Sequence, residues 1–251
     1  MYRICEWSIK WDLPLNAVKS HLLTRMPSDF QLFIRQSGNI DTAIPSKDQT
    51  SDLGVRFSNN FTPTHPSEAA AAKARQALFR LKSAIVNKSP EVFVPLYSAF
   101  VRPHLEYCVQ AWAPYLRKDV NILEKVQKLA TRMVWGTKGL RYPDRLTMLN
   151  LFSLERRRLR GDLIEVFKAT QHWESSAIAQ LFVLRRFTGL RGHKFTLEKS
   201  RSSLAVRHNF FTNRVVNAWN KLPSNLVDCQ NVDSFKKCLD RAWLDLFPDT
   251  M

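Results

Sequence analysis

Residues 151–168 read LFSLERRRLRGDLIEVFK, placing Arg156, Arg157, Arg158 and Arg160 within a turn and a half of a predicted helix. Guanidinium groups are fork-shaped donors that match phosphate oxygens. Four of them so close repel one another unless an anion or ample solvent offsets that cost. A second basic series, Lys125, Lys128 and Arg132, follows the i, i+3, i+7 spacing of one helix face. Lys73, Arg80, Arg191 and Lys194 extend the set of candidate nucleic-acid contacts. Trp112, Tyr115, Trp135 and Tyr142 lie among these cations, and aromatic rings between basic groups suit bases or sugars beside phosphates. The alternative reading stands beside it: the arginines form a solvated face and the aromatics belong to the core.

Other chemistries lack their residue patterns. The chain has no C-x-x-C, no zinc-knuckle spacing and no H-E-x-x-H, so no metal site is expected. His104 and Cys108 share one possible helix face, but two ligands do not make a site. There is no G-x-S-x-G elbow and no Walker-type glycine loop. No two aspartates are adjacent, whereas two-metal phosphoryl transfer needs clustered carboxylates. Cys5, Cys108, Cys229 and Cys238 are scattered and read as reduced thiols of an intracellular protein, nuclear or cytoplasmic.

The elements that must position these groups are mostly helices. With 45% hydrophobic residues in 251, the chain can bury real cores in two or three units. Lys+Arg 38 against Asp+Glu 22 leaves a net charge of +16, which raises self-repulsion and attracts polyanions. Nucleic acid is the first candidate polyanion and an anionic membrane surface the second. No apolar run approaches transmembrane length, and MYRICEWSIKWDL has no secretory core. Membrane spanning and secretion are therefore not expected, and nucleic acid is preferred to a membrane partner. Residues 1–62 read as a short helix followed by two or three strands. Ser67 is the expected N-cap of a helix with Ala70, Ala74, Ala77, Leu78, Leu81 and Ile85 on one face.

A second helix should open near Pro90–Glu91, tolerating Pro95 only in its first turn, with a break or kink at Pro103. A third runs from Asp119 to near Gly136, with Ile122, Val126, Leu129, Ala130 and Met133 inward. In the fourth, Leu159, Leu163, Val166 and Phe167 face a core, while Arg156, Arg157, Arg160 and Lys168 point outward. A basic loop-like stretch through the 180s and 190s precedes two closing amphipathic segments. Phe211, Val215, Ala218 and Trp219 line one; Phe235, Leu239, Ala242, Trp243 and Leu246 line the other. No fixed-period repeat is evident.

LYSAFVRPHLEYCVQAWAPYLRKDVNILEKVQKLATRMV resembles the segment that follows the polymerase core in reverse transcriptases of non-long-terminal-repeat retrotransposons of the jockey and chicken-repeat type. LFSLERRRLRGDLIEVFK, GLRGHKFTLEKSR and FFTNRVVNAWNKLP continue the likeness in family order. WDLPLNAVKS is similar to the family's W-x-L-x-x-N-x-x-K element at Trp11, Leu13, Asn16 and Lys19. SDLGVRFS resembles the primer-grip hairpin through Asp52, Leu53, Gly54 and Val55, and THPSEAAAAKARQAL the first thumb helix, with His65 and Lys73–Ala74 in place. Pro66 departs from the family's apolar residue there.

The resemblance implies a mainly α protein. Residues 1–62 would be a small α+β palm remnant, 63–150 a helical thumb and 151–251 a basic helical C-terminal domain. It implies RNA or DNA as partner, and possibly the missing polymerase core as a second. Lys19 stands at the family's proton-donor position, inactive alone. The Mg²⁺ of the complete enzymes has no carboxylate pair here to hold it, so the expected chain is a truncated, non-catalytic fragment. A decayed or repurposed reading frame, acting as a protein-interaction module with no nucleic-acid role, is the alternative.

Overall fold

The computed structural model describes residues 2–25, 30–35, 41–171, 173–185 and 192–248. The fold is mainly helical, with a small strand component near the start. It divides into two compact units, Met1–Pro66 and Ser67–Met251.

In the first unit, α1 (Tyr2–Lys10) precedes two antiparallel strand pairs: β1 (Phe33–Arg35) with β2 (Asp41–Ala43), and β3 (Gln49–Asp52) with β4 (Val55–Ser58). Its core is small. Cys5, Ala17, Ile34 and Ile44 are buried, with Leu15, Leu22 and Leu32 packed against them. Arg35 pairs with Asp41 directly across the β1–β2 register at 3.2 Å. The β3–β4 connection is two residues, Leu53 and Gly54, both at positive φ (45° and 82°), as a type I′ hairpin requires. The expected helix and strands are present, with four short strands in place of two or three.

The second unit holds all but the first three residues of α2 (Thr64–Ala84), which begins three residues before the expected cap. Ser67 is therefore buried inside the first turn, its hydroxyl without a hydrogen-bond partner among the described residues. The predicted apolar face is the buried one, with Ala70, Ala71, Ala74, Leu78 and Leu81 inside. After α3 (Pro90–Leu96), the chain passes through a π-helical turn (Tyr97–Val101) into α4 (Arg102–Glu106) without breaking. Pro103 cannot donate to the carbonyl of residue 99, and its ring crowds that carbonyl in a regular helix. The wider π turn, closed by Arg102 N–H on the Tyr97 carbonyl, accommodates it. Pro95 lies inside α3, past its first turn. The real break comes at Cys108, left-handed at φ 54°, before α5 (Val109–Trp112).

Next come α6 (Arg117–Arg132), α7 (Tyr142–Met148) and α8 (Leu154–Gln171). Asp119 stands in the first turn of α6, near its positive end, and the chain turns away through Gly136 at φ +81°. A Cβ at Gly136 would lie 3.2 Å from Met148 Cε, so both conformation and space favour glycine there. The short helices α9 (Ala205–His208), α10 (Phe211–Arg214), α11 (Val216–Asn220) and α12 (Ser224–Val227) lead into α13 (Val232–Leu246), capped by Asn231 on Ser234 N–H. The expected division at 150–151 falls inside this unit, where α8 packs on α4, α6, α11 and α13.

The C-terminal core forms around α8. Leu163, Val166, Phe167, Val215, Trp219, Phe235, Leu239 and Trp243 are all essentially inaccessible. Phe167 and Phe235 stack at 4.2 Å between ring centroids. Trp219 also donates from Nε1 to the Phe195 carbonyl at 2.8 Å, which ties the preceding loop to the core. Each such side chain contributes roughly 1.5–3 kcal/mol of burial, so this cluster dominates the stability of the unit.

Candidate nucleic-acid interface

The α8 arginines do not face outward. Arg156 is 8% exposed, its guanidinium carbon 3.6 Å from the Phe152 ring centroid and 5.0 Å from that of Trp243. Arg157 makes a two-pronged pair with Glu106 on α4, Nη2 to Oε2 at 3.1 Å, with Nε on Oε1. Arg158 is 6% exposed among the charges of Glu124, Glu155 and Asp162, and its Nη1 has no hydrogen-bond partner among the described residues. Arg160 grips both carboxylate oxygens of Asp240 on α13, each at 2.7 Å. The expectation of an outward-pointing cluster is corrected accordingly. α8 is buried on several sides, so its cations are held by carboxylates and rings of neighbouring helices, and two-pronged pairs fix those helices in register.

The same logic governs Arg214, which holds Asp162 at 2.8 and 2.9 Å and reaches the Val109 carbonyl at 3.3 Å. Burial pushes the Asp162 carboxyl up against the pull of Arg214 and Arg158. A polar ridge also runs along the buried side of α6, where the spacing alone suggests an apolar stripe. Gln127 accepts from Tyr97 Oη at 2.8 Å and donates to Tyr142 Oη and the Phe152 carbonyl, each at 2.9 Å. Tyr142 in turn donates to Glu124. Burial pushes both tyrosine hydroxyls far up, so they act as neutral donors. This network joins the π turn, α6, α7 and the start of α8.

The open face of α6 is different. Its exposed positions are Arg117, Lys118, Asn121, Lys125 and Arg132, and none is acidic. Arg117 reaches Glu155 at 3.7 Å; Lys118, Lys125 and Arg132 have no ion-pair partner among the described residues. Lys128, half-buried, lies 5.1 Å from the Tyr142 ring centroid. Beyond the helix end, Trp135 (55% exposed) and Lys138 continue the surface, and Arg145 lies beneath them. Like charges at i, i+3 and i+4 destabilise a helix by roughly 0.2–0.5 kcal/mol per pair, which a bound anion would offset.

The remaining expected residues divide. Lys73 and Arg80 are exposed on α2, one face apart from its buried stripe. Lys194 is exposed but pairs with Asp228 at 3.1 Å, and Arg191 lies outside the described residues. Of the aromatics, Trp112 is buried and donates to the Tyr107 carbonyl at 2.9 Å, Tyr142 belongs to the buried network, Tyr115 is half-buried, and Trp135 is open. In the first unit, Lys19 is exposed on a turn held by Asn16 Oδ1 accepting from the Lys19 amide at 3.0 Å. Leu53 is 84% exposed at the hairpin tip, Gly54 is exposed beside it, and Val55 is buried. Lys118, Lys138 and Arg145 were not expected. The first extends the seven-residue spacing of Lys125 and Arg132, a signal present in the sequence; the other two come together only through the loop. Among the described residues no group of three or more potential metal ligands comes together, and no helix is long and apolar enough to cross a membrane.

Comparison with family models, with curated proteins and with solved structures finds no match to the chain.

Proposed function

We propose that this chain is a nucleic-acid-binding module of the reverse-transcriptase thumb and C-terminal type, gripping a sugar–phosphate strand through the open face of α6. The observation that carries this reading is the run of exposed positions on α6, all but one cationic, three of them without an acidic partner. The resemblance through residues 96–134 supports it from the sequence side, and the hairpin at Asp52–Val55 supports the primer-grip likeness. The α8 arginines are assigned to architecture instead. Strand binding, not bond-making, is the role assigned, because polymerisation needs clustered carboxylates.

Counterion release dictates the test. Affinity for a labelled oligonucleotide, followed by anisotropy, should fall linearly in log–log form with salt. Salt-independent binding, or none at low ionic strength, contradicts the proposal. A primer-extension assay with Mg²⁺ or Mn²⁺ should give no product above a protein-free control.

A second reading has its own observation. In the first unit Ile4, Trp7, Ile9, Trp11 and Leu13 are each at least half exposed. Clustered apolar exposure of this kind marks protein contact. It concerns residues 1–66 and leaves the α6 assignment untouched.

A further inference from the structure

The loop that follows α6 encloses a cleft of ≈ 670 Å³, lined among others by Arg132, Trp135, Lys138, Leu140 and Arg145. Arg145 is 5% exposed and has no carboxylate partner among the described residues. Its Nε donates to Thr131 Oγ1 at 3.1 Å and its Nη1 to the Leu140 carbonyl at 3.2 Å, while Nη2 has no protein acceptor among the described residues. A buried guanidinium without a counter-charge is costly, and nearby Arg132 adds repulsion rather than relief. Every charged group lining the cleft is positive.

The floor is otherwise prepared. Thr137 Oγ1 lies 2.8 Å from the carbonyl oxygens of both Thr131 and Val134, which occupies acceptors at the negative end of α6. Trp135 is anchored through its backbone amide to the Lys88 carbonyl at 2.9 Å, leaving its ring more than half exposed. An open indole can stack only on a base whose faces are not already covered by neighbours, as they are in a duplex.

We infer that this cleft takes one unpaired nucleotide of a single-stranded nucleic acid, its base on Trp135 and its phosphate between Arg132, Lys138 and the Arg145 guanidinium. The inference rests on the α6 strand-binding reading and adds strand type to it. The size suits the occupant, since pockets of roughly 300–1,000 Å³ hold small-molecule-sized groups and not a double helix.

The test measures anisotropy of labelled oligo(U), oligo(dT) and a blunt DNA duplex against the full chain and against Trp135→Ala and Trp135→Phe. The single strands should bind more tightly than the duplex. Trp135→Ala should weaken both single strands by about tenfold and the duplex by less than about twofold, with Trp135→Phe close to wild type. Because the ring is exposed, circular dichroism and the unfolding midpoint should match wild type in both variants. If binding persists but Trp135→Ala leaves single-strand affinity unchanged, or weakens strand and duplex alike, the cleft assignment fails and the α6 reading survives. If the wild-type chain binds no oligonucleotide, both fall.

Discussion

Arg156 shows how a charged side chain can serve a core. Its guanidinium lies against Phe152 and near Trp243, so its aliphatic stem and its planar head both contribute packing. Arg156→Ala should therefore cost about 2 kcal/mol in urea unfolding, through lost contact rather than lost charge, and leave oligonucleotide affinity unchanged. Weaker binding with unchanged stability would return Arg156 to the interface. His193 gives a pH signature. It is 2% exposed, and burial pulls its pKa below the ordinary histidine value despite the Trp219 carbonyl 3.1 Å from Nε2. Below about pH 6.5 the unfolded chain takes up a proton that the folded chain refuses, so stability should fall as pH drops from 7.5 to 5.5. His193→Gln should remove that part of the slope; an unaltered slope contradicts the assignment. None of this is legible locally, because the partners that settle each arginine are remote. Glu106 is 51 residues from Arg157, Asp240 is 80 from Arg160, and Asp162 is 52 from Arg214. Helical spacing shows which side chains share a face, but not which other helix supplies an acid to that face.

The elements themselves were better announced than their boundaries. Alanine and leucine spacing over residues 70–81 marks the buried face of α2, and Phe235, Leu239 and Trp243 mark that of α13, because one-sided burial leaves a 3.6-residue rhythm. α8 escapes this rule, being packed on several sides: of the positions expected to face outward Lys168 is exposed, while Arg156, Arg157 and Arg160 turn to neighbouring elements. At Pro103, where a break or kink is expected, the regular helix gives way to a π turn that absorbs what it cannot accommodate. The hairpin over Gln49–Ser58 is a stricter case. A type I′ turn favours Asn-Gly, yet Leu53 occupies its first position at φ 45°, 84% exposed. Leucine in the left-handed region is disfavoured by roughly 1–2 kcal/mol. Leu53→Asn should therefore raise the thermal midpoint of the chain's first transition, equivalent to about 1 kcal/mol. A loss of stability would show that Leu53 is held by contacts rather than tolerated.

Over the whole molecule, the excess of cations was plain from composition, but composition cannot say where the excess resides. Two groups of cations stand out in the fold. One, on α8 and α10, is matched by Glu106, Asp162 and Asp240 and holds the helical unit together. Another, formed by Lys118, Lys125 and Arg132 on α6 with Lys138 on the following loop, is exposed without an ion-pair partner among the described residues. On the proposed reading the α6 cations contact the strand, and counterion release makes that contact measurable. The most direct measurement is the salt dependence of single-strand affinity for the wild-type chain and for Lys125→Ala/Arg132→Ala. The wild type should give a straight log–log line, and the double variant a slope shallower by about 1.4, two phosphate contacts at about 0.7 each. An unchanged slope in a folded double variant would mean that α6 does not touch the strand.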